Sequence, residues 1–149
     1  QSDVMVKSGS DVSLNQLSHE LMELEITIAP NEADQFGVKV GVSENGEEET
    51  VIYYDRKDEK LKRDTRKSGL TFGRKIIEEA PFDLKKNEPL VLKIYMDRSI
   101  VEVYANERQA IARRIYPTLS GTGVSAFSKG GKVVLTSVKS WEMMPSNPY

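Results

Sequence analysis

The chain reads as an all-β protein, a two-sheet antiparallel β-sandwich. Three observations predict this. Apolar and polar residues alternate with period two in one run after another, the mark of a strand with one dry and one wet face. Turn-forming pairs, among them Pro30-Asn31, Asn45-Gly46, Asp58-Glu59, Asn106-Glu107 and Gly130-Gly131, punctuate these runs. No amphipathic pattern sustains a helix of more than two turns. One apolar face per strand then requires a second sheet to cover it.

The elements follow in order. Residues 1–18 are polar and weakly patterned, with Ser8, Ser10 and Ser13, and read as an incoming linker or one edge strand. Residues 19–149 read as the sandwich module itself. Met22, Leu24, Ile26 and Ile28 alternate with Glu23, Glu25 and Thr27, and Pro30-Asn31 ends that strand. Phe36, Val38, Val40 and Val42 alternate with Gly37, Lys39, Gly41 and Ser43. Residues 50–55 are β-branched and aromatic, and residues 60–64 return as the hairpin partner. Residues 66–79, with Ser68-Gly69 and Gly73, read as a long loop holding a short strand at 74–77. Leu90, Leu92, Ile94 and Met96 resume the alternation, and a turn at Asp97-Arg98-Ser99 leads into residues 100–104. Strands at 109–115, 123–127 and 132–141 complete the set, before a proline-rich tail. The inward face is predicted to carry Met22, Leu24, Ile26, Val38, Val40, Leu92, Ile94, Val101 and Val103.

Composition bounds the function. At 149 residues, 38% of them hydrophobic and 30% charged, the chain fits one globular domain. There is no cysteine, which removes disulfides, thiolate metal sites and cysteine nucleophiles, and the single histidine, His19, precludes a histidine metal cluster. No cofactor is implied. No apolar run is long enough for a membrane span and no signal peptide is visible, while a start at Gln1 rather than Met suggests a processed or truncated product. Charge is uneven: residues 1–50 hold eleven acids against Lys7 and Lys39, and residues 56–75 hold nine Lys or Arg. That basic run lacks interleaved aromatics and reads as a solvated hairpin rather than a nucleic-acid surface.

Candidate chemistry is sparse. Glycoside hydrolysis needs two facing carboxylates, one of them kept protonated. Glu47-Glu48-Glu49 borders a turn, and Glu23 and Glu25 lie on a wet strand face. Asp97 and Glu102, near a turn between two apolar strands, suit backbone capping better than acid–base work. No catalytic residue is assigned. Neither phosphate-loop nor EF-hand spacing occurs. Exposed aromatics would serve as sugar platforms, and Tyr53-Tyr54 should place one ring on each face of a strand. Tyr95, Tyr104, Tyr116 and Trp141 are further candidates. Because these rings are scattered over separate strands, packing or an inter-domain contact is favoured over sugar binding, and Tyr53, Tyr54 and Trp141 are named as candidate sugar or interface contacts.

Two segments carry a family resemblance. One is residues 36–55 with 60–69, F-G-V-K-V-G-V-S-E-N-G-E-E-E-T-V-I-Y-Y-D and K-L-K-R-D-T-R-K-S-G; the other is residues 90–117, closing with 123–141. These resemble the C-terminal domain of glycoside hydrolase family 32, the invertases, levanases, inulinases and sucrose-6-phosphate hydrolases. Asp97-Arg98-Ser99 and Val101-Glu102-Val103-Tyr104 are the most specific part. The resemblance implies a lectin-like sandwich packed on a catalytic five-bladed β-propeller, and a structural role for Asp97, Arg98, Ser99 and Glu102. The family's catalytic motifs, W-M-N-D-P-N-G, R-D-P and E-C, do not occur in this sequence. The implied function is a non-catalytic accessory module that stabilises the propeller of a β-fructofuranosidase-type enzyme and takes part in oligomerisation. The alternative is a fructan-binding module. The implied partners are the propeller of the same protein, fructan and a second copy, with no nucleic acid and no membrane. A parent that degrades polymeric fructan would favour an extracellular or periplasmic location.

Overall fold

The computed structural model describes residues 4–14, 21–42, 49–67, 77–97, 100–107, 109–114 and 123–142. They form twelve strands: β1 (Val4–Val6), β2 (Ser10–Ser13), β3 (Leu21–Ala29), β4 (Gln35–Val42), β5 (Glu49–Asp55), β6 (Lys60–Lys67), β7 (Ile77–Pro81), β8 (Leu90–Asp97), β9 (Ile100–Ala105), β10 (Gln109–Arg114), β11 (Gly123–Lys129) and β12 (Val133–Glu142). Two six-stranded antiparallel sheets result, in the orders β1-β12-β3-β8-β9-β10 and β2-β11-β4-β5-β6-β7. We call them sheet A and sheet B. The predicted class is the observed one.

Alternation decides what each strand buries. Leu24, Ile26 and Ile28 of β3 and Leu92 and Ile94 of β8 are fully buried, as is Val103 of β9. Facing them from sheet B are Phe36, Val38 and Val40 of β4 with Ile52 of β5. Each such aliphatic side chain contributes about 1.5–3 kcal/mol by leaving water. Of the nine residues expected inside, the side chains of Met22 and Val101 lie outside the described ones, and the other seven are in the core.

The first fourteen residues supply a strand to each sheet. β1 pairs with β12 in sheet A, and β2 pairs with β11 in sheet B. Between them Gly9 takes a positive φ of 77°, its N–H donates to the Ser128 carbonyl at 2.8 Å, and Gly131 N–H donates to Ser8 Oγ at 3.0 Å. Val6 and Leu14 are buried on either side of that crossing.

The predicted strand at 60–64 extends to Lys67; of the strand expected at 74–77 only Ile77 is among the described residues, and it opens β7, which runs to Pro81. Residues 68–76, where a long loop was expected, lie outside the described residues, as do Asn45-Gly46 and Arg98-Ser99.

The basic run departs from the solvated hairpin that its composition suggested. Lys62 and Arg63 are buried, Arg63 completely, because β6 continues the alternation of Leu61 and places Arg63 on the inner face. Lys62 points outward but is covered by carboxylates.

Candidate functional site

The outer face of sheet B is packed against itself. Lys62 Nζ lies 2.6 Å from Asp58 Oδ2, 3.0 Å from Asp55 Oδ2 and 3.3 Å from Glu79 Oε2, so one cation ties the β5–β6 turn to β7. Hydrogen bonds to Asp58, Asp55 and Glu79 outweigh burial and hold Lys62 well above the usual lysine range. Burial pushes the Asp55 carboxyl up, but bonds from Lys62, the Asp58 N–H and Gln35 outweigh it and leave it below its ordinary value. A general acid needs the opposite shift.

Tyr53 and Tyr54 separate as alternation requires. Tyr53 lies on the outer face, its ring 6.0 Å from that of Phe127 at 68°, and Lys39 Nζ sits 5.5 Å from the Phe127 centroid while pairing with Asp11 at 2.7 Å. Tyr54 corrects the sequence reading, because it is a core residue. It is 1% exposed, flanked edge-on by Phe36 and Phe82, and its Oη accepts from Leu84 N–H at 3.4 Å. A ring so enclosed touches neither sugar nor another domain.

The outer face of sheet A is different. The three exposed large hydrophobic residues among the described ones, Met5, Tyr104 and Trp141, all lie on strands of this sheet. Cross-strand register places Trp141 opposite Glu23, Glu23 opposite Tyr95, and Tyr95 opposite Glu102. One row across β12, β3, β8 and β9 therefore reads aromatic, acid, aromatic, acid. The next row reads Lys139, Glu25, Lys93, Tyr104. Tyr95 and Tyr104 meet edge to face at 5.8 Å and 82°, and Tyr104 Oη donates to Glu102 Oε2 at 3.1 Å, a bond that raises the Tyr104 phenol. Lys93 pairs with Glu107 at 3.0 Å and approaches Glu25 at 3.9 Å. Glu23, half-buried between Trp141 and Tyr95, has no hydrogen bond or ion pair among the described residues.

A bulge aims Trp141. Val133 and Leu135 of β12 point inward, so uninterrupted alternation would bury residue 141 as well. The register against β3 slips between Leu135 and Ser137, after which Val138 faces in and Trp141 faces out with 48% of its surface exposed. Sequence reading named Tyr95, Tyr104 and Trp141 separately but treated Glu23 as one more wet-face acid. Their adjacency depends on strand order and register, which alternation does not carry.

Of the family-signature residues, Asp97 closes β8 opposite Ile100, with its side chain outside the described ones. Arg98 and Ser99 also lie outside them. Glu102 is placed, on the outer face beside Tyr95.

Residues 2–142 match the family described as glycosyl hydrolases family 32, C terminal. The chain belongs to that family. A levanase of Bacillus subtilis is 35% identical over 119 residues, which is 76% of this chain and 17% of that protein. This family 32 domain therefore matches only about a sixth of the length of that relative. The crystal structure of an exo-inulinase from Aspergillus awamori superimposes with a TM-score of 0.83 at 19% identity, covering 97% of this chain and 28% of that one. A carbohydrate binding module of Bacillus subtilis superimposes with a TM-score of 0.65 at 13% identity, covering 96% and 83%. Both likenesses establish the sandwich fold of this family 32 domain.

Proposed function

We propose that this chain is the non-catalytic accessory module of a β-fructofuranosidase-type glycoside hydrolase, whose chemistry takes place in a separate catalytic β-propeller. The observation that carries the reading is the match of almost the whole chain to the family 32 C-terminal domain, while its alignment covers only 17% of the levanase. The placement of its acids supports it. Asp55 and Asp58 are neutralised by Lys62, Glu102 accepts from Tyr104, and Glu25 approaches Lys93. The parent enzyme cleaves β-fructosides such as sucrose, levan or inulin. The module stabilises the propeller by covering part of its surface and contributes to self-association of the enzyme.

The test has two arms. The purified chain should release no fructose from sucrose, levan or inulin. The catalytic domain expressed without the module should inactivate faster on heating than the joined protein. Fructose release by the chain alone, abolished by Glu102→Gln or Asp97→Asn, overturns the non-catalytic assignment; equal heat inactivation with and without the module overturns the stabilising role.

A further inference from the structure

We propose that the outer face of sheet A binds a β-fructan chain laid across the strands, along the row Trp141–Glu23–Tyr95–Glu102. The choice of fructan rests on the accessory-module reading above; the choice of an oligosaccharide rests on the face itself. Sugar rings are recognised by aromatic faces that cover their C–H surfaces and by acceptors that take their hydroxyl protons. This row alternates the two. Trp141 and Tyr95 stand two strands apart, about 10 Å at the usual inter-strand spacing. That is comparable to the advance over two residues of an extended oligosaccharide. Glu23 lies between them as a half-buried acceptor with no hydrogen bond or ion pair among the described residues, so it is placed to accept from a sugar hydroxyl. Glu102 is held by Tyr104 and offers its other oxygen at the far end of the row. The neighbouring row of Lys139, Glu25 and Lys93 alternates in charge, which suits a neutral ligand better than an acidic or basic one. The β12 bulge that turns Trp141 outward is a local cost of the kind found where a side chain is aimed at something.

The chain contains a single tryptophan, so its fluorescence reports on this row alone. Titrating the 149-residue chain with levan and inulin oligomers should give saturable fluorescence and calorimetric signals, with Kd between roughly 1 μM and 1 mM. Free fructose, which spans one ring, should bind about tenfold or more weakly. Followed by calorimetry, Trp141→Ala and Tyr95→Ala should each weaken oligomer binding at least tenfold. Glu23→Gln, which keeps an acceptor, should lose less than Glu23→Ala. Lys57→Ala, on an exposed turn of the other sheet, should leave binding unchanged, and far-UV circular dichroism verifies that each variant folds. Several results overturn the proposal: no saturable signal with either oligomer at tens of millimolar, undiminished binding by Trp141→Ala, or equal binding of β-glucan oligomers. So does loss of association with a separately expressed catalytic domain in Trp141→Ala when the unaltered chain binds no sugar, which would make the face an inter-domain surface. None of these results depends on fructose release or heat inactivation, so the accessory-module reading stands or falls separately.

Discussion

Gly37 shows how one residue shapes a sheet face. It sits on β4 opposite both Phe127 of β11 and Tyr53 of β5, and the absence of a side chain lets those two rings meet across it. A Cβ at this position would overlap the Ile52 carbonyl oxygen and stand 2.6 Å from Tyr53 Cα. Backbone of a central strand cannot yield as a flexible side chain would. Gly37→Ala is therefore expected to cost about 3 kcal/mol, read as a lower urea midpoint at an unchanged slope. A loss under about 1 kcal/mol would show that β4 and β5 part at little cost. Asn106 acts similarly by its side chain. With a φ of 51° it turns β9 toward β10, while its Oδ1 accepts from Val91 N–H at 2.6 Å and its Nδ2 donates to Pro89 O at 3.0 Å and Glu88 Oε2 at 3.1 Å. Asn tolerates that backbone region better than other non-glycine residues and satisfies three neighbours at once.

At the scale of elements, the β5–β6 hairpin and β7 are joined by electrostatics as well as by backbone pairing. Asp55 caps the turn through its Oδ1, which accepts from Lys57 N–H at 3.1 Å and Asp58 N–H at 3.3 Å, while its Oδ2 meets Lys62 and Gln35. Its folded-state value lies below the ordinary one. The ionised carboxylate thus contributes stability that is present above the ordinary carboxyl range and lost as pH falls through the folded value. Between about pH 5 and about pH 3 the chain is expected to lose more stability than its Asp55→Asn variant, which has no such proton to bind. Parallel pH–stability curves for the two would show that Asp55 is not coupled to folding. The same hairpin explains why a basic run is not a basic patch: Arg63 is turned inward and Lys62 is neutralised by three acids.

For the whole molecule, the open question of a sandwich is how its sheets are held in register at their edges. The N-terminal segment does this on one side, feeding β1 to sheet A and β2 to sheet B across the β11–β12 turn. Removing residues 1–8 takes away the buried Val6, the β1 pairing and the Ser8 contact to Gly131, and exposes the edge of β12. The expected cost is about 2–4 kcal/mol in urea unfolding, with increased self-association through the bared strand. An unchanged midpoint would show that sheet A closes without β1. On the other side of the sandwich the edge strands are β10 and β7.

The sequence by itself determined the fold class, most strand positions and the inner face, because strand alternation is local and each buried aliphatic enforces it independently. It also carried the family, through runs such as residues 90–104. Sheet order, register and the β12 bulge were decided only by tertiary structure. So the burial of Tyr54 rather than Tyr53, the inward turn of Arg63 and the alignment of Trp141, Glu23, Tyr95 and Glu102 were not legible beforehand. Alternation names which residues share a face within one strand. Which residues of four different strands become neighbours depends on pairings between segments more than a hundred residues apart, and one inserted residue reverses the answer for the rest of its strand.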